Sequence, residues 1–100
     1  MLRRAVEQRP DEPAFLDSLG WALYQSGQAQ EALSWLQKAA RRAGERDEPE
    51  IREHLGDVYL ALGLPSRAVA EWQTALALDG ETRGHLRQKI DETRAASLPH

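Results

Sequence analysis

Glu50, His54 and Asp57 are the residues whose types and spacing come closest to a chemical site in this chain. On a helix, Glu50 stands one turn before His54 and Asp57 nearly one turn after it, so an imidazole and two carboxylates share a face. Such a set could hold a divalent metal ion or move a proton. One histidine with two carboxylates on a single open helix nevertheless makes a poor zinc site, because three or four ligands must converge on the ion. The expected state is a solvated histidine beside favourable carboxylates. His85 and His100 are isolated, and neither Ser18 nor Ser34 has a histidine in helical reach. Asp79-Gly80-Glu81 is too short for a calcium loop, and no glycine-rich phosphate loop follows a strand. Without cysteine there are no disulfides and no thiolate metal sites. The sequence therefore predicts no catalytic residue, no cofactor, no metal site and no enzyme.

Composition narrows the remaining classes. The chain has 100 residues, 29 % of them charged, and a formal net charge of −3. A nucleic-acid binder would normally carry a strongly basic face, so none is expected as a partner. No apolar run approaches the roughly 20 residues that cross a bilayer, and direct membrane insertion is not expected. Met1-Leu2-Arg3-Arg4 is not followed by an apolar stretch of the kind an export signal needs. If the natural protein is exported, that signal lies upstream of this segment.

The elements that must position any functional residue come from an internal repeat. Gly20, Gly27, Ala32, Ala39 and Gly44 recur 36 residues later as Gly56, Gly63, Ala68, Ala75 and Gly80, and Pro13 and Leu19 recur as Pro49 and Leu55. Leu36 maps onto Trp72, keeping a large apolar residue, whereas Trp35 maps onto Glu71. Pro13 and Pro49 suit the first turn of a helix. Phe15, Leu16, Leu19, Ala22 and Leu23, then Ile51, Leu55, Val58, Tyr59 and Leu62, follow at helical spacing. Gly27 and Gly63 are placed to end those helices in the left-handed conformation. Second helices carry Ala32, Leu33, Leu36 and Ala39, then Ala68, Val69, Trp72 and Ala75. Gly20 and Gly56 fall inside helices, where glycine costs about 1 kcal/mol relative to alanine, so a neighbouring helix is expected to approach closely there. The spacing predicts an all-α chain of two hairpin units, 13–44 and 49–80. Residues 1–10 read as the second helix of a truncated upstream unit, and 81–97 as a polar capping helix with Leu86 and Ile90 facing inward.

At these positions the sequence resembles the tetratricopeptide repeat (TPR) family. Leu16, Leu19, Gly20, Leu23, Gly27, Ala32, Leu36 and Ala39 match its pattern in the first unit, and Leu55, Gly56, Tyr59, Gly63, Ala68, Trp72 and Ala75 in the second. Arg52 stands where the second unit's first large residue belongs, and Gly44 and Gly80 replace the usual closing proline. The repeat is two residues longer than the family's usual 34, and the extra length falls in Gly44-Glu45-Arg46-Asp47-Glu48. The resemblance implies a right-handed superhelix of stacked antiparallel hairpins that binds a protein or peptide. A narrower resemblance, in Phe15–Tyr24 and His54–Tyr59, is to the last repeats of bacterial TPR proteins. Many of those act as assembly or adaptor factors in the cell envelope, which favours a periplasmic parent over a cytoplasmic one.

In such stacks the first helix of each hairpin lines the concave face. By the family pattern, the groove positions are Asp17, Trp21, Tyr24 and Gln25, then Glu50, Glu53, Asp57, Leu60 and Ala61, with Arg87, Asp91 and Arg94 on the capping helix. The first-helix set holds four carboxylates and no cation beside two aromatic rings. That implies an acidic groove for a segment carrying Arg or Lys and an apolar anchor. Asp17, Glu53 and Asp57 could equally be a solvated helix face, and Trp21 and Tyr24 could pack between helices. The lysine-and-asparagine clamp that one TPR subclass uses for C-terminal carboxylates is absent. A different reading makes the segment a structural cap of a longer array, or a self-association module acting through Leu2 and Val6.

Overall fold

The computed structural model describes residues 12–97, which form helices joined by short turns and loops and contain no strand. Five helices follow one another among them: α1 (Pro13–Gln25), α2 (Ala29–Ala43), α3 (Pro49–Ala61), α4 (Pro65–Leu78) and α5 (His85–Ser97). α1 pairs with α2 and α3 with α4 as two hairpins, α2 packs on α3, and α5 closes against α4. The upstream helix expected over 1–10, including Leu2 and Val6, lies outside the described residues.

Local chemistry sets the helix ends. Pro13, Pro49 and Pro65 open α1, α3 and α4, where the fixed φ is already helical and the missing N–H has no intrahelical acceptor. Gly27 and Gly63 take φ of 86° and 78°. The next residues close the turn in the same way: Gln28 N–H donates to the Leu23 carbonyl and Leu64 N–H to that of Tyr59, both at 2.9 Å. That six-to-one bond satisfies a carbonyl the helix end would leave orphaned.

The mid-helix glycines are seats. A Cβ on Gly20 would lie 2.7 Å from Leu36 Cγ, and one on Gly56 would overlap the Trp72 indole, 2.8 Å from Cε2. Leu36 and Trp72 are both fully buried. Each hairpin thus brings its large second-helix residue onto the bare backbone of the first helix. The Trp72 indole N–H donates to the Glu53 carbonyl at 3.3 Å, which leaves that buried donor satisfied.

Two departures from repeat symmetry meet each other. Arg52 and Glu71 occupy the positions of Leu16 and Trp35 in the first unit. In the second hairpin Arg52 Nη1 donates to Glu71 at 3.1 Å while its Nε donates to Asp47 at 2.8 Å. The added linker residue Asp47 is therefore pinned to α3. Across the hairpin junction, Gln37 Nε2 donates to the Tyr59 hydroxyl at 3.1 Å.

The capping helix starts later than its expected position at residue 81. The Asp79 carboxylate accepts from Thr82 through both the backbone N–H, at 3.3 Å, and the hydroxyl. This side-chain turn competes with helix over 80–84, so α5 begins at His85. Leu86 and Ile90 are buried as the sequence requires, and Arg87, Asp91 and Arg94 are exposed.

Candidate partner-binding face

Polar side chains link α1 to α3 and α3 to α5. At the first rung Trp21 stacks between two rings: its centroid is 4.9 Å from Tyr24 at 30° and 4.1 Å from His54 at 18°. His54 Nδ1–H donates to Asp17 Oδ1 at 2.8 Å, with the two side chains only 14 % and 11 % exposed. Trp21 and Tyr24 remain half-buried, and Gln25 and Glu50 are exposed.

The next rung belongs to Glu53. Its carboxylate accepts from Arg83 Nη1 at 2.6 Å and from His85 Nε2 at 2.8 Å. Burial alone would raise the Glu53 pKa, but the bonds from His85 and Arg83 outweigh it and hold the carboxyl below its ordinary range. Further along, Lys89 Nζ donates to Asp57 Oδ1 at 2.6 Å and also lies 5.1 Å from the Trp72 ring centroid.

These pairs bear on the expected acidic first-helix face, whose own residues carry no cation. Asp17, Glu53 and Asp57 each meet a partner from another segment, and the cations Arg83 and Lys89 come from the turn before α5 and from α5 itself. The expectation for His54 is corrected. It is stacked on Trp21 and hydrogen-bonded rather than solvated, and its carboxylate partner is Asp17 of α1, while Asp57 is taken by Lys89. Asp17, Glu50 and His54 bring their ligand atoms within 4.8 Å of one another.

The remaining expected groove residues disperse. Arg87 is exposed over the turn, its guanidinium 3.5 Å from where a Cβ on Gly80 or Gly84 would stand. Leu60 is 41 % exposed and borders a different, mainly apolar groove of about 390 Å³ with Gly63, Pro65, Thr93 and Ala96. Arg83, His85 and Lys89 were not among the expected groove positions. A signal for two of them exists in the numbering: Glu53–His85 and Asp57–Lys89 are both 32 residues apart, one repeat less one helical turn.

Stacked helical hairpins with glycine seats and a polar first-helix face define a helical repeat protein. Residues 1–48 match the family described as tetratricopeptide repeat. The TPR repeat-containing protein PA4667 of Pseudomonas aeruginosa is 35 % identical over 57 residues, which is 57 % of this chain and 9 % of that protein. This chain thus spans less than a tenth of the length of that relative. With the all-helical hairpin stack, these matches support placing the chain in the tetratricopeptide repeat family. Repeats of this family generally mediate protein–protein interaction, and their fold is typically non-enzymatic. No helix among the described residues is long and apolar enough to cross a membrane.

Proposed function

We propose that this chain is a protein-interaction scaffold that holds a peptide segment on its first-helix face, against Trp21 and Tyr24. The observation that supports this reading is the contrast along that face. Asp17, Glu53 and Asp57 are satisfied internally, whereas the Trp21–Tyr24 pair keeps part of its surface open beside the exposed carboxylate of Glu50. Aromatic residues of this kind are enriched where proteins meet. The suited ligand is a segment with an apolar anchor and one Arg or Lys. Its cation would lie over a ring, for about 0.5–2 kcal/mol, or against Glu50.

Random peptides displayed on phage and selected on the immobilised chain provide the test. Enriched peptides should combine a basic with an apolar residue, and should lose at least about tenfold in affinity, roughly 1.4 kcal/mol, on Tyr24→Ala combined with Glu50→Ala. Circular dichroism should show that double variant to be as helical as the parent, since Glu50 is exposed and Tyr24 packs only half-buried against the edge of the core. Undiminished binding, selection of no peptide, or amide shifts confined to α2 and α4 would each overturn the proposal.

A further inference from the structure

We infer that Asp17, Glu50 and His54 form a site for a divalent transition-metal ion of the zinc class, clamping α1 to α3. Read along α3 alone, Glu50 and His54 offered too little, one histidine and carboxylates on one open helix. The fold adds Asp17 from α1, a buried carboxylate 2.8 Å from His54 Nδ1. The three ligand atoms lie within 4.8 Å of one another, the one such grouping of three among the described residues.

The distances suit an ion of that size. Zinc binds His nitrogen and carboxylate oxygen at about 2.0–2.2 Å, so tetrahedral ligand atoms stand about 3.3 Å apart. Asp17 and His54, now hydrogen-bonded, need open by only a few tenths of an ångström. Glu50 is exposed on a flexible side chain, and it supplies the larger movement. Asp17 and His54 are held in advance: Asp17 sits in the α1–α3 junction, and the imidazole is stacked face-on to Trp21. Binding at Nδ1 requires the neutral ring to carry its proton on Nε2 in place of Nδ1; the metal then lies in the plane of the imidazole, at its edge, so ring stacking and coordination do not compete. Two carboxylates and a neutral imidazole present a net charge of −2 to the ion. A nitrogen ligand favours zinc, cobalt or nickel over calcium and magnesium, which take oxygen. The exposed Glu50 side leaves a fourth position for water.

The site shares Glu50 with the peptide reading, but the titration is run without peptide, so either reading can fail while the other stands. The experiment titrates the untagged, chelator-treated chain with cobalt(II), read by its visible absorption, and then displaces cobalt with zinc(II). One equivalent of cobalt should bind, zinc should compete, and calcium and magnesium at the same concentrations should not. Loss of outer-shell partners alone costs about 10- to 100-fold in metal affinity, so Glu50→Gln and His54→Gln should each weaken binding by at least that much. Glu50→Gln alters an exposed side chain, and unchanged circular dichroism separates lost ligation from lost fold. His85→Gln, on the next rung, should leave the titration unmoved. No saturable cobalt binding, or binding that survives both Glu50→Gln and His54→Gln, would overturn the proposal.

Discussion

One added carbon at Gly56 would meet the indole of Trp72, a rigid ring that is fully buried and tethered to the Glu53 carbonyl. Gly56→Ala removes a helix penalty of about 1 kcal/mol but overpacks the seat, which typically costs about 1–3 kcal/mol. The ring cannot bend away, so overpacking wins and Gly56→Ala should lower unfolding stability in urea by up to about 2 kcal/mol. Gly20→Ala faces the more adaptable Leu36 side chain and should lose less. A Gly56→Ala chain as stable as the parent would show that the seat is looser than its geometry. These glycines are legible in the sequence, because a costly residue recurring at one spacing demands a packing reason. The charge partners are not. Asp17–His54, Glu53–Arg83 and Asp57–Lys89 join segments 30–37 residues apart. Their spacing acquires meaning only when the fold links α1 to α3, and α3 to α5 and the turn before it, and for that reason an acidic face was expected where paired charges stand.

The helices themselves were legible because prolines and glycines punctuate them, and α5 was the element whose start was misplaced. There a carboxylate–threonine turn at Asp79 and Thr82 outcompetes helix, a contest that apolar periodicity does not register. Within the second hairpin, Arg52 and Glu71 each broke the repeat pattern, and the structure couples the two departures as one ion pair. This makes a prediction about the element rather than about either residue. Arg52→Leu alone strands a partly buried Glu71, and Glu71→Trp alone crowds an indole against a guanidinium. Combined, they restore the residue types that the first hairpin uses at Leu16 and Trp35. A double-mutant cycle in urea should therefore give a favourable coupling of about 0.5–3 kcal/mol, the range for residues in contact. Additivity within about 0.5 kcal/mol would mean that the second hairpin tolerates each departure separately.

The described ladder measures 49 × 28 × 18 Å, so its stability depends on each helix pair finding a neighbour rather than on one central core. α5 is the neighbour of the second hairpin. It buries Leu86 and Ile90 on the α4 side and supplies Lys89 to Asp57 of α3, while His85 at its start reaches Glu53. Each of the two apolar side chains is worth about 1.5–3 kcal/mol of burial. For a chain this small, every 1 kcal/mol moves the melting temperature by about 4–8 °C. Truncation after Gly84 should thus lower the melting temperature by more than about 10 °C. The loss should also be directional. Amide exchange should accelerate first in α3 and α4, whose partner has gone, and later in α1 and α2, whose own interface with α3 survives until that hairpin opens. Equal acceleration in all four helices would show a single cooperative core in place of a nearest-neighbour array. A melting temperature left unchanged would show that α5 merely rests on the stack, with Leu86 and Ile90 contributing nothing to the hairpin beneath them.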